Sequence, residues 1–276
     1  MKISRRSFLG AAALAPAVLA TAQNKKLPVG LELFSVREAL AKDLTGTVRE
    51  VAKMGYEDVE FFSPYYQWTT QQTKDMRKLL DDVGMKCFST HNSINNYKPE
   101  NIQKTIELNN LLGVRYVVVA SAGKAQTLDD WKKIAETFTQ GHEKLASGNL
   151  RGGYHNHQLE FTPLEGKRPI EVIAANTPKN FVLQLDLGTC VEMGSDPVAW
   201  INANPGRIQC MHLKEWSREK GYRALYGEGS VPWKAVLAAA RKTGGLEYVL
   251  IEQEGSEFSE FETAKKCLDR YRTMNG

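Results

Sequence analysis

The sequence predicts one (β/α)8 barrel, and three observations predict it. Short runs rich in Val, Ile, Tyr and Phe alternate with helical stretches, giving about eight β–α units in roughly 250 residues, the length such a barrel takes. Helical stretches separate the runs, so the strands should be parallel and covered by helices. The first run is followed by Arg37-Glu38-Ala39-Leu40, not by the Gly-rich phosphate turn usual in a doubly wound open sheet.

The strands are expected at Val29–Val36, Asp58–Phe62, Lys86–His91, Arg115–Ala120, Arg151–His157, Val182–Asp186, Ile208–Leu213 and Tyr248–Glu252. Spacing marks the helices between them. Leu44, Val48, Val51 and Ala52 recur on one face, with Gly55 as a stop. Met76, Leu79, Leu80 and Val83 do the same before Gly84, and Ile102, Ile106 and Leu112 before Gly113. Trp131, Ile134, Phe138 and Leu145 form another stripe. Pro169–Asn176 is the weakest unit. Val231–Thr243 has Pro232 in its first turn and Gly244-Gly245 beyond its end. No low-complexity linker divides this body, so residues 27–276 read as one domain.

Composition is ordinary for a globular protein, 42% hydrophobic and 25% charged. The net charge is +4, but Lys2, Arg5 and Arg6 lie at the extreme N-terminus and leave the body near neutral. No basic stripe argues for nucleic acid. Cys87 and Cys210 fall inside apolar runs, Cys190 follows another, and Cys267 lies on a helical stretch. They are expected as buried free thiols, not as a disulfide framework or a zinc knuckle. Residues 1–22 read as an export signal. Ser4-Arg5-Arg6-Ser7-Phe8-Leu9-Gly10 precedes an apolar run from Ala11 to Ala20, and Ala20-Thr21-Ala22 is a small-x-small cleavage site. The run falls short of the roughly 20 residues that span a bilayer, so no stable membrane insertion is expected after cleavage.

In a barrel the active site lies at the C-terminal ends of the strands. Polar residues cluster there. Glu60 lies in the second strand and His91 closes the third. His155 and His157 close the fifth, in "GGYHNHQLEF". Asp186 ends the sixth, His212 and Lys214 the seventh, and Glu252 and Glu254 the eighth. Residues two apart share a face of a strand, so each of the last-named pairs should point one way. Unpaired charges in a barrel lumen would cost several kcal/mol each. A divalent cation shared among imidazoles and carboxylates removes that cost, and the donors suit Mn, Co, Zn or Mg.

Asp186 in "QLDLGT", His212 in "MHLKE" and Glu252 in "VLIEQE" resemble the xylose isomerase-like sugar (phosphate) isomerase/epimerase superfamily. "GLELFSVRE" and "GYEDVEFF" look like its first two units, and "YGEGSVPW" like its Gly-x-Gly turn before the seventh helix. The resemblance implies one divalent metal held by Asp186, His212, Glu252 and a fourth ligand from the fifth strand. Many members have a glutamate there, and this chain has His155. Either His155 takes its place as ligand, the reading preferred, or Glu160 reaches back from the loop. "Tyr-His-x-His" is similar to inosose dehydratase, a superfamily member that eliminates water beside a ketone. The implied chemistry is proton abstraction next to a metal-polarised carbonyl, through an enediolate or enolate. His157 and Glu160 are the candidates for proton transfer, and Lys214 for stabilising the oxyanion. Glu60, His91, Trp216 and Glu254 are expected to meet the substrate.

The paired arginines followed by Phe-Leu resemble a twin-arginine (Tat) export signal, which implies a periplasmic or exported enzyme acting on a free, oxidised or glycosidic sugar. A non-catalytic sugar-binding protein and an apurinic-site endonuclease are the alternatives. Five histidines and a near-neutral body count against the second. Oligomeric state is left open. If the signal is of the twin-arginine type, changing Arg5 and Arg6 together to lysine strands the precursor inside the cell. Fractionation showing normal export of that variant would leave a general secretory signal instead.

Overall fold

The computed structural model describes residues 26–275; the export stretch lies outside them. Eight strands carry the architecture: β1 (Val29–Glu32), β2 (Asp58–Glu60), β3 (Ser89–Ser93), β4 (Tyr116–Ser121), β5 (Arg151–His155), β6 (Val182–Asp186), β7 (Cys210–Leu213) and β8 (Tyr248–Ile251). All pair in parallel, in the order β2-β1-β8-β7-β6-β5-β4-β3. Isolated parallel bridges, Asp58 with Lys86 and Phe61 with Thr90, join β2 to β3 and close the ring.

The main helices that follow the strands are Leu44–Met54, Thr70–Asp82, Ile102–Leu112, Leu128–Leu145, Pro169–Ala175, Pro197–Ala203, Trp233–Ala239 and Glu260–Asn275. Their starts are written in the sequence. Thr69 and Thr127 each open a helix with a capping box, closed by Gln72 and Asp130. Asp43 caps the first through the Gly46 amide. Leu44–Met54 buries Thr47, Val48, Val51 and Met54 against the sheet, which is the face the spacing predicts. The four cysteines are buried and free.

Several strand ends differ from expectation, and each has a local cause. β1 stops at Glu32 because Leu33–Val36 winds into a 3-10 turn. β3 begins at Ser89, not Lys86. Upstream of it, the Phe88 amide is taken by the Asp58 side chain at 2.9 Å. β5 ends at His155. Glu160 Oε2 accepts the His157 amide at 2.7 Å and starts the short helix Gln158–Phe161, so strand parity does not run on to His157. The seventh helix is α-helical only to Ala239 and finishes in a π-turn over Ala240–Gly244.

Inside the ring, Tyr116, Val118, Val182, Cys210, Tyr248 and Leu250 form an apolar plug of their own. The plug leaves no room beside β5. A Cβ on Gly153 would lie 2.9 Å from Val182 Cβ and 3.3 Å from Val118 Cγ2. Gly153→Ala is therefore expected to destabilise the fold by about 1–3 kcal/mol, the usual cost of overpacking. Urea unfolding of the variant at wild-type stability would show that the plug yields.

Candidate metal centre

Register brings the polar strand ends to one height. Glu32 lies opposite Glu60, His155 opposite Gln184, and Asp186 opposite His212. Gln184 and Asp186 continue the inward parity of Val182, and His212 that of Cys210. Lys214 and Glu252 follow β7 and β8 by one residue and keep the same parity. His91, His155, Lys214 and all these carboxylates are buried.

Hydrogen bonds fasten them together. His212 donates from Nδ1 to Glu252 Oε2 at 2.6 Å and from Nε2 to Glu60 Oε2 at 2.7 Å. Gln184 accepts at Oε1 from His91 Nε2 at 2.7 Å and from His155 Nδ1 at 3.0 Å, and gives its amide to Glu60 Oε1 at 3.0 Å. Lys214 Nζ lies 3.6 Å from both Asp186 Oδ2 and Glu252 Oε1 and bonds Glu254. Asn156 and Thr189 splint Asp186. Its amide donates to Asn156 Oδ1 at 3.1 Å, and its Oδ1 accepts from the Thr189 amide at 2.7 Å.

These contacts set the charges. Burial pushes the Glu60 carboxyl up, but the imidazoles of His91 and His212 outweigh it and hold Glu60 at about 2. Burial likewise opposes protonation of His212, yet Glu60 and Glu252 keep its pKa well above the usual histidine range. Burial and the positive neighbours, His212 first, push His155 well below it. Burial raises Asp186, against the pull of Lys214. Burial and the Glu60 carboxylate raise Glu32.

One donor set fits a metal ion. Ligand atoms of His155, Asp186, His212 and Glu252 lie within 4.8 Å of one another. Asp186 Oδ2 is buried and accepts no hydrogen bond, while His155 Nε2 stands 3.8 Å from it. A buried carboxylate oxygen left so costs about 1–3 kcal/mol or more, and a cation would satisfy it. Two imidazoles with two carboxylates suit Zn, Co or Mn better than Mg, which prefers oxygen alone. Glu32, Glu60 and His91 form a second grouping, but both Glu60 oxygens are already engaged.

The remaining expected site residues fall differently. His157 is half-buried beside this set, its ring 5.0 Å from that of His155. Glu160 does not reach back. Its Oε1 accepts from Tyr154 at 2.6 Å and its Oε2 from the His157 amide, so both oxygens are engaged within β5 and its loop and it is not among the clustered donors. Glu60 and His91, expected to meet substrate, are buried in the network instead, Glu60 with 0% of its surface exposed. Glu254 is exposed and tied to Lys214. Trp216 is half-buried in the loop after β7, where its amide donates to Glu215. Phe34 lies exposed at the end of β1, edge-on to Phe62 at 5.5 Å.

Residues 48–273 match the family of the xylose isomerase-like TIM barrel. The chain belongs to that family. Its relatives divide by chemistry. It is 22% identical over 261 residues to a 3-dehydroshikimate dehydratase of Pseudomonas aeruginosa, a match that covers 86% of this chain but only 41% of that protein. Among solved structures it resembles a sugar phosphate isomerase/epimerase from Parabacteroides distasonis, with a TM-score of 0.75, 25% identity and coverage of 93% and 97% of the two chains. The fold of the probable 3-DHS dehydratase AsbF of Bacillus anthracis is also similar, with a TM-score of 0.71, 16% identity and coverage of 90% and 99%.

Sequence reasoning passed over Glu32, Gln184 and Asn156. Parity could have found Gln184, two residues before Asp186 on the same strand face, and Glu32 sits in "GLELF" at a strand end like the others. Asn156 carries no such signal, because it lies beyond the end of β5. If the four-donor set binds metal, Zn or Mn at about 100 times its Kd stabilises the protein by about 2.7 kcal/mol. Asp186→Ala abolishes that rise in melting temperature. Wild type indifferent to Zn, Mn and Co in a thermal-shift assay would rule the centre out.

Proposed function

We propose that this chain is a divalent-metal-dependent lyase. It would remove a proton next to the carbonyl of a polyhydroxylated ketone and expel the oxygen substituent one carbon further on. Candidate substrates are a keto-sugar or a 3-keto-glycoside. The observation that carries this is the set His155, Asp186, His212 and Glu252, with Lys214 against both carboxylates. A divalent ion held there would polarise the carbonyl and acidify the neighbouring C–H. The chain's own residues do the rest. Lys214 offers a second positive charge to the substrate oxygen on which negative charge develops. His157, half-buried at the rim of the donor set, takes the proton. The carbon–oxygen bond then breaks as the double bond forms, and the leaving oxygen departs with the proton that His157 took up.

Elimination is favoured over epimerisation because the donors are asymmetric. An epimerase needs a proton-transfer group on each face of the carbon. Here the β5 position holds His155, whose Nδ1 is tied to Gln184 and whose pKa is pushed well below the usual range. That leaves it a ligand, not a second base. The dehydratase relatives support this reading and the isomerase/epimerase relative supports the alternative. The N-terminal stretch supports export of the enzyme, which favours unphosphorylated substrates.

A panel of keto-sugars and 3-keto-glycosides incubated in heavy water with metal-loaded protein separates the readings. An unsaturated product marks the lyase. Deuterium incorporation with retention of all oxygens marks the epimerase. Inertness of the whole panel, with metal absent from the purified protein, would favour a sugar-binding role. His157→Ala should keep its metal and lose about 10²–10⁴-fold in rate, the range typical of a general base. Full turnover by that variant would remove His157 from the mechanism.

A further inference from the structure

Glu60 is a buried carboxylate with both oxygens occupied and no exposed surface. The amide nitrogen of Gln184 donates to Glu60 Oε1 at 3.0 Å. That orientation turns Gln184 Oε1 towards His155 Nδ1, also at 3.0 Å. An amide oxygen only accepts, so His155 carries its proton on Nδ1. The lone pair is left on Nε2, the nitrogen 3.8 Å from Asp186 Oδ2. Glu60 Oε2 acts on His212 directly. It accepts from Nε2 at 2.7 Å, so the proton a cation would displace is the one on Nδ1, beside Glu252. His91 locks the arrangement, donating from Nε2 to Gln184 Oε1 at 2.7 Å and lying 3.1 Å from Glu60 Oε2.

We infer that Glu60 is a positioning residue that sets, directly for His212 and through Gln184 for His155, which ring nitrogen each imidazole presents to the metal. The inference rests on the metal centre proposed above. It assigns Glu60 no substrate contact. It implies that a carboxylate is required at this position: a glutamine of the same shape can present a donor to either partner, and the orientation of Gln184 is then no longer determined.

The test uses protein labelled with 15N-histidine and loaded with cadmium-113 as the probe. In wild type the cadmium coupling should appear on His212 Nδ1 and His155 Nε2, with protons on the other two nitrogens. Glu60→Gln should lose or divide both couplings and bind cadmium about 10–100-fold more weakly, the usual penalty for removing such an outer partner. Gln184→Met should disturb the coupling of His155 while leaving that of His212 in place. This difference is one that general damage to the fold would not produce. Thermal unfolding of each metal-free variant checks that it is folded. Should Glu60→Gln fail to fold, the wild-type couplings and Gln184→Met still decide. Coupling through His212 Nε2 in wild type overturns the inference, as does Glu60→Gln with unchanged couplings and affinity. Wild type that takes up no cadmium overturns the metal centre itself, and this inference with it.

Discussion

Charge balance in the barrel mouth is the constraint on which the rest of this structure depends. Four carboxylates, Glu32, Glu60, Asp186 and Glu252, are buried there with only Lys214 and the protonated His212 as full positive charges. The set is two charges short. The shortfall shows where it should: burial raises Glu32 and Asp186, the two carboxylates that each keep an oxygen without a hydrogen-bond partner. A divalent ion supplies two charges. If it takes the Nδ1 lone pair of His212, that imidazole becomes neutral. Lys214 and the ion then balance Glu60, Asp186 and Glu252, and Glu32 stays protonated. Without an ion, Glu32 Oε2 and Asp186 Oδ2 both stay without a hydrogen bond, the latter 3.8 Å from His155 Nε2, an arrangement proteins seldom keep without a use for it.

Such a charge cluster needs rigid walls, and the fold provides them below and above. Below, the plug of Tyr116, Val118, Val182, Cys210, Tyr248 and Leu250 fills the ring. Above, the long loop after β7 is pinned by a single buried carboxylate. Glu215 accepts from the amides of Gly227 and Val231 and from the Trp233 indole at 2.7 Å. Lys214 precedes Glu215 directly, so the clamp that holds the loop also holds the lysine in the site. Gln253 plays the matching part after β8. Its amide donates to Ser35 at 2.9 Å, which ties the Glu252 segment to the turn after β1.

Much of this was legible in the sequence, and the failures share a cause. Eight strands and their helices could be read from periodicity, because apolar faces packed on a sheet leave a regular trace. Asp186, His212 and Glu252 could be placed because each breaks an apolar run at its end. His155 was legible for the same reason, but its neighbour His157 was not, since parity assumes that the strand continues. It stops because Glu160 captures the His157 amide, a tertiary choice that spacing does not encode. Glu160 and Glu60 show a related limit of spacing. A carboxylate at a strand end reads as available chemistry, whereas the structure gives both oxygens of each residue to partners on the protein. Gln184 escaped notice because it is uncharged, although it touches more of the cluster than several of the ionisable residues.

Lys214 bears most directly on what the proposed reaction demands of this architecture. Two carboxylates and two imidazoles would bind a divalent ion tightly if left to themselves. Placing an ammonium 3.6 Å from both Asp186 Oδ2 and Glu252 Oε1 works against that, because it competes for the same oxygens and repels the ion. A site built only to hold metal gains nothing from such a neighbour. A site built to draw negative charge onto a substrate oxygen gains a second fixed positive charge in a poorly solvated mouth, where its effect is largest. Glu254 fits the same logic, since it accepts the lysine from the solvent side and keeps the charge in place without entering the donor set. On the proposed reading, weaker metal binding would be the cost of the chemistry, and the pairing of one lysine with two carboxylates of the donor set would mark the centre as catalytic, not structural.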